Sequence, residues 1–132
     1  MTELIDNTVR TKFHDLLNDQ IANEFSASQQ YIAVAVYYDG IDMPQLARHF
    51  YRQAVEERNH AMMILQYFLD RDMHIELPGV DVPRSEFDNY QAPIDLALAQ
   101  EKRVTQQIVD LARAARSEER RVGKECRSRW SP

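Results

Sequence analysis

The chain has 132 residues, 44% hydrophobic and 28% charged, with a formal net charge of −5. One domain of that length buries a real core, roughly 68–70% of its extended-chain surface. The acidic balance, with no long basic stripe in the first hundred residues, argues against nucleic acid and anionic membranes as partners and favours cations. Only three glycines interrupt the chain, which favours helices over a turn-rich strand fold. Cys126 is the only cysteine, so no internal disulfide can form. Met1–Asp6 has neither the basic nor the apolar region of a secretion signal, and no run approaches the ~18 apolar residues of a membrane span. The expectation is a soluble protein of the reducing cytoplasm.

Three long helical segments are predicted. The first runs from about residue 8 to 39, with an inward series Leu17, Ile21, Ser28, Tyr31, Ala35 and Tyr38 in alternating three- and four-residue steps. Position 24 completes that series, and it is Glu24. Gly40 ends the helix; Asp42 is expected to cap the next, with Pro44 tolerated in its first turn. The second helix, about 43–72, reads inward as Leu46, Phe50, Gln53, Glu57, His60, Ile64 and Tyr67. Its middle is again ionisable.

Residues 73–92 contain Pro78, Gly79 and Pro83 and hold no sustained period. A helix–helix link in a bundle normally spans 2–8 residues. A connection of this length fits a crossover that lets the third helix run parallel to the second. The third helix, about 93–116, reads Ile94, Ala97, Glu101, Val104, Ile108, Leu111 and Ala115, and its stripe contains Glu101. Beyond Arg116 the chain turns polar and basic; only Val122, Cys126 and Trp130 are apolar, at a spacing compatible with one face of a short helix.

Glu24, Glu57, His60 and Glu101 thus interrupt three apolar stripes near their middles. Leaving such carboxylates buried and unpaired costs several kcal/mol each, so they stay protonated or gather around a cation. Glu57 and His60, at i and i+3, reach one ion together. Glutamates from separate helices combined with Glu-x-x-His are the ligand pattern of di-iron carboxylate bundles, although manganese or zinc would also suit the donors. Any one of these residues has an ordinary explanation, a misjudged helix phase or a charge reaching the rim. Three stripes with the same defect at the same depth do not. Glu56 flanks the ligand face, either as a donor to a third cation or as a solvated side chain. Tyr31 sits two turns from Glu24, as core or as a hydrogen-bond and electron donor. His14, His49 and His74 read as surface residues, and Met43, Met62, Met63 and Met73 as packing or surface, with none placed to ligate a heme.

Residues 20–31, Gln-Ile-Ala-Asn-Glu-Phe-Ser-Ala-Ser-Gln-Gln-Tyr, resemble the first helix of bacterial non-heme ferritins. Residues 49–61, His-Phe-Tyr-Arg-Gln-Ala-Val-Glu-Glu-Arg-Asn-His-Ala, resemble their second helix, in wording closest to the actinobacterial, mycobacterial type. The likeness spans about residues 8–116. It implies an all-α, ferritin-like four-helix bundle with a long crossover. It also implies a first iron at Glu24, Glu57 and His60, with Glu57 bridging to a second iron at Glu101 and Glu56 matching an auxiliary third site. A protein of this kind oxidises Fe(II) with dioxygen or peroxide at its two-iron ferroxidase centre, without heme. It then stores ferric mineral inside a homo-oligomeric, twenty-four-subunit shell, without nucleic acid or membrane.

The departure from the family is the missing fourth helix. The di-iron domain is expected over residues 1–116, and residues 117–132 resemble a read-through scar, artefactual or disordered. Without the fourth helix an apolar face lies open, and weak stability, aggregation and impaired iron oxidation are expected. Rival readings are another di-iron oxidoreductase, bacterioferritin- or rubrerythrin-like, and a non-enzymatic helical module or DNA-protecting mini-ferritin. The absence of a heme-ligating methionine and of paired Cys-x-x-Cys counts against the first. Ligands running within one chain count against the mini-ferritin.

Overall fold

The computed structural model describes the backbone of residues 9–130 and the side chains as far as residue 119. Among the described residues it is all helical: α1 (Lys12–Gly40), α2 (Pro44–Asp70) and α3 (Ala92–Trp130). Thr8, the predicted first helical residue, lies outside them. Thr11 caps α1, and its backbone N–H donates to His14 Nδ1 at 3.2 Å, a capping box closed by a histidine. The predicted end of α3 at Arg116 is passed by fourteen residues. Residues 117–130 are mostly Glu, Arg, Lys and Ser, and only Gly123 opposes a helix there.

Both α1 and α2 stop by the same device. Met43 N–H donates to Tyr38 O and Asp42 N–H to Asp39 O; Met73 N–H donates to Phe68 O and Asp72 N–H to Leu69 O. These are Schellman endings, in which the residue past the cap takes a left-handed conformation. Asp42 (φ 59°) and Asp72 (φ 53°) occupy that position. Aspartate tolerates it better than most residues do. Asp42 is therefore the terminator of α1 and not the cap of α2, whose N-cap is Met43 without a side-chain bond.

α2 runs back along α1, so Phe68 packs with Leu17 and Ile21, while Ser28 Oγ donates to Ala54 O at 2.7 Å. The segment 71–91 then returns beside α1 in the same direction as α1. Asn18 exchanges two hydrogen bonds with the backbone of Glu76, and Gln30 does the same with Arg84. Ser26 Oγ accepts from Asp81 N–H, and Tyr38 OH donates to Tyr90 O. Side chains of α1 thereby satisfy backbone groups that have no strand partner. The crossover delivers α3 to the far end of α1, and α3 runs antiparallel to α1 and parallel to α2, as its length predicts. No Cα of α2 approaches one of α3 within 8 Å among the described residues. α1 is the spine, and α2 and α3 each pack on it.

Two apolar clusters form along this spine. One joins Tyr31, Val34, Ala35, Tyr38, Ala47, Phe50, Ala54 and Ala97. The other joins Leu17, Ile21, Phe68, Met73 and Leu111. Every member of the predicted α1 stripe is buried, Glu24 included. On α2 the buried line is instead Ala47, Phe50, Ala54, Glu57, Ala61 and Phe68, while Leu46, Gln53, Ile64 and Tyr67 are half-buried and His60 is exposed. Small alanines let the α1 and α2 backbones approach, so α2 is rotated by about one position from its bulkiest face. On α3 the buried side is Pro93, Ala97, Gln100 and Leu111, and Glu101 and Ile108 turn outward. A groove of about 400 Å³ stays open between α2 and α3, floored by Tyr31 and bordered by Phe50, Gln53, Leu98 and Glu101.

The left-handed aspartates give a direct stability test. Asp72→Ala is expected to lower the unfolding free energy by about 1 kcal/mol, and Asp72→Gly to raise it by about 0.5–1 kcal/mol. Urea unfolding of the two variants checks the order, which reverses if the position is not a terminator.

Candidate metal centre

Between the two apolar clusters lies one layer of charge. α1 contributes Glu24, one turn past Ile21 and one turn before Ser28, and α2 contributes Glu57 and His60, one turn apart. Glu24, Glu57 and His60 bring one ligand atom each within 4.8 Å of the other two. His60 Nδ1 lies 3.8 Å from Glu24 Oε2 and 3.7 Å from Glu57 Oε2. Both carboxylates are buried, at 2% and 6% exposure, and the imidazole is half open on the side α1 does not cover. Glu24 Oε2 and Glu57 Oε2 have no hydrogen-bond partner. Buried polar atoms are almost always paired, so two orphaned oxygens pointing at one imidazole describe a space that a cation fits.

The electrostatics agree. Burial pushes the Glu57 carboxyl up from 4.5 to about 8, helped by hydrogen bonding and repulsion from Glu24 and by the charges of Glu101 and Glu56. Without a cation the site keeps a proton. A divalent ion offers the same neutralisation with better geometry, and two carboxylates with one imidazole are donors that iron, manganese or zinc accept.

Glu101 is not within this group. It stands on α3 at the edge of the groove, exposed, and accepts a hydrogen bond from Tyr31 OH. Burial and that bond together push the Tyr31 phenol upward from its ordinary value. Glu56 is exposed on the flank of α2 and reaches Glu57 only through its charge. His49 and His74 are exposed as expected. His14 is not: it is half-buried against Phe13, Tyr67 and Phe68 and held below its usual range, mainly by burial. Met43 and Met73, which close the two Schellman endings, pack one against each apolar cluster, and Met62 and Met63 are exposed.

Sequence patterning missed the amides around Glu24. Gln20 and Gln100 are buried; Gln20 Nε2 donates to Glu24 Oε1 and Gln107 Oε1, and Gln100 Nε2 donates to Ala27 O. The available signal was the four-residue spacing of Gln20 and Glu24, and the seven-residue spacing of Gln100 and Gln107 on one face of α3.

The profile of the ferritin-like domain matches residues 14–125. Ferritin BfrB of Mycobacterium tuberculosis is 58% identical over 109 residues, covering 83% of this chain and 60% of that protein. Ferritin BfrB of Mycolicibacterium smegmatis is 56% identical over 115 residues, covering 87% and 64%. A bacterial non-heme ferritin of Staphylococcus aureus is 35% identical over 104 residues, covering 79% and 63%. The chain thus spans about three fifths of the length of these curated relatives. Two crystal structures of PmFTN variants soaked in iron superimpose with TM-scores of 0.78 and 0.77, at 25% and 28% identity. They cover 91% and 84% of this chain, and 77% and 71% of theirs. No helix among the described residues is long and apolar enough to cross a membrane.

Metal-free protein should show the Glu57 proton in its stability. The folded value of about 8 lies above the unfolded value of 4.5, so the folded chain holds a proton that the unfolded chain releases. Stability is then full below the lower value and is lost as pH rises through the upper one, by at most about 1.4 kcal/mol per pH unit. Urea midpoints should fall from about pH 5.5 to about pH 8, and Glu57→Gln should flatten that fall.

Proposed function

Because the chain belongs to the ferritin-like domain family, we propose that it derives from a cytoplasmic iron-storage protein that oxidises its Fe(II) substrate at Glu24, Glu57, His60 and Glu101. The orphaned, buried oxygens of Glu24 and Glu57 facing His60 Nδ1 carry this reading. Those three side chains hold the first Fe(II). Glu57 is shared with a second Fe(II) that Glu101 holds after exchanging its Tyr31 hydrogen bond for the ion. Dioxygen or peroxide takes the electrons, and the ferric product is stored in a homo-oligomeric shell. Glu56, beside Glu57 and open to solvent, serves an auxiliary iron site.

The protein's own contribution is placement. Glu24 and Glu57 supply anionic oxygens in a water-poor layer, where they attract a cation more strongly than in water. His60 closes the donor set from the open side, by which the metal enters. Iron brings the redox chemistry, and no heme is needed.

Residues 117–132 are proposed to be foreign to the family. The family match running on to residue 125 weighs against this, and sequencing the source DNA across the codons for residues 111–132 decides it. With the groove between α2 and α3 open, oxidation by this chain is expected to be slow and shell assembly incomplete.

Anaerobic calorimetric titration with Fe(II) tests the site. The chain is expected to bind Fe(II), and Glu24→Ala and His60→Ala are each expected to weaken binding by on the order of 100-fold. Unchanged binding in both variants would place the metal elsewhere. A shell-sized particle in size-exclusion chromatography of the 132-residue chain would overturn the expectation about assembly.

A further inference from the structure

Gln20 is almost completely buried, yet it serves neither as a helix cap nor as a surface amide. One turn N-terminal to Glu24, it points its side chain along the same face of α1. Its Nε2 donates to Glu24 Oε1 at 3.4 Å and to Gln107 Oε1 at 3.2 Å. Its Oε1 accepts from Asn23 Nδ2 at 3.0 Å. These three contacts fix which end of the amide faces Glu24. With Asn23 donating to the oxygen, the nitrogen has to face the carboxylate, and a nitrogen can only donate.

The consequence falls on the two oxygens of Glu24. Oε1 is held by an amide N–H, and Oε2 is left without a partner, 3.8 Å from His60 Nδ1. A carboxylate on a flexible stem has many ways to sit; tied at one oxygen, it presents the other in one direction. Such outer partners orient metal ligands and strengthen them as donors.

We infer that Gln20 is a positioning residue that fixes Glu24 as a one-oxygen ligand, and that Gln107 of α3 holds it in place. The inference rests on the metal-site reading of Glu24, Glu57 and His60. Under it, α3 acts on the centre by a second route besides Glu101. Gln107 reaches Glu24 through Gln20, across the contact between α1 and α3. It also gives a reason for polar residues at the α1–α3 contact, where apolar ones would pack as well. Asn23 and Gln107 border a small polar cavity of about 130 Å³ under the crossover, so water or a polar solute entering there touches the two anchors of Gln20 without touching the ligands.

Co(II) is a suitable probe, because it takes the same donors and its visible absorption bands report ligand geometry without turnover. Gln20→Met keeps the side-chain length and removes the donor; Gln107→Met leaves Gln20 in place and removes its anchor on α3. In the 132-residue chain, Gln20→Met is expected to weaken Co(II) binding about 10- to 100-fold and to change the absorption bands of the Co(II) that remains bound. Gln107→Met is expected to act in the same direction and less strongly, and it keeps the test open if Gln20→Met fails to fold. A merely structural Gln20 would lower the melting temperature and leave the Co(II) bands as they are. Folded variants with wild-type affinity and bands would overturn the assignment of Gln20 while leaving the metal site standing. An unmodified chain that takes up no Co(II) would instead overturn the metal site, and this inference with it.

Discussion

Glu24 and Glu57 are pressed together in a layer closed above and below by apolar side chains, and each leaves one oxygen unpaired. Two like charges so placed repel each other in a medium that screens them poorly, so one must keep a proton or both must share a cation. The rest of the molecule is arranged around that constraint. α1 and α2 come close through Ala47, Ala54 and Ala61, which places the two carboxylates face to face. His60 lies a turn further on, where the layer opens. The stability given up at this layer has to be made up by the clusters on either side.

The sequence showed the layers more reliably than it showed their orientation. The α1 stripe was legible in full because α1 is covered on two sides, and its buried arc is wide enough to forgive an error of phase. α2 and α3 are each covered on one side only, and there bulk misled. Leu46, Ile64 and Ile108 look like core residues, but alanines on α2 and glutamines on α3 face the spine. A rule that sends large apolar residues inward cannot see that close helix approach selects small ones, or that buried glutamine is acceptable once its amide is paired. Gly40 likewise drew attention away from Asp42, because aspartate in a left-handed turn is uncommon.

The crossover was legible by its length and the topology it implies, but not by its attachments. Asn18, Ser26 and Gln30 look like ordinary solvated residues on a helix. In the fold they carry the hydrogen bonds of an irregular segment that runs beside α1 for most of its length. The grouping of Glu24, Glu57 and His60 was legible because a carboxylate inside an apolar stripe is costly and conspicuous. Its outer amides were not, since their meaning depends on which helices touch. Glu101 stands apart from these three, at the edge of the groove, where its carboxylate accepts a hydrogen bond from Tyr31.

Among the described residues no Cα of α2 comes within 8 Å of one of α3, and this gives a bound ion a mechanical part to play. Among the described residues each helix packs on α1 and neither on the other, so no direct contact between the two sets the angle at which they stand, like the covers of a half-open book. On the proposed assignment, an ion shared by Glu57 and Glu101 would span the gap between them and serve as the clasp. Loading the centre would then narrow the range of angles the helices adopt, and the same event that binds the substrate would stiffen the scaffold that holds it.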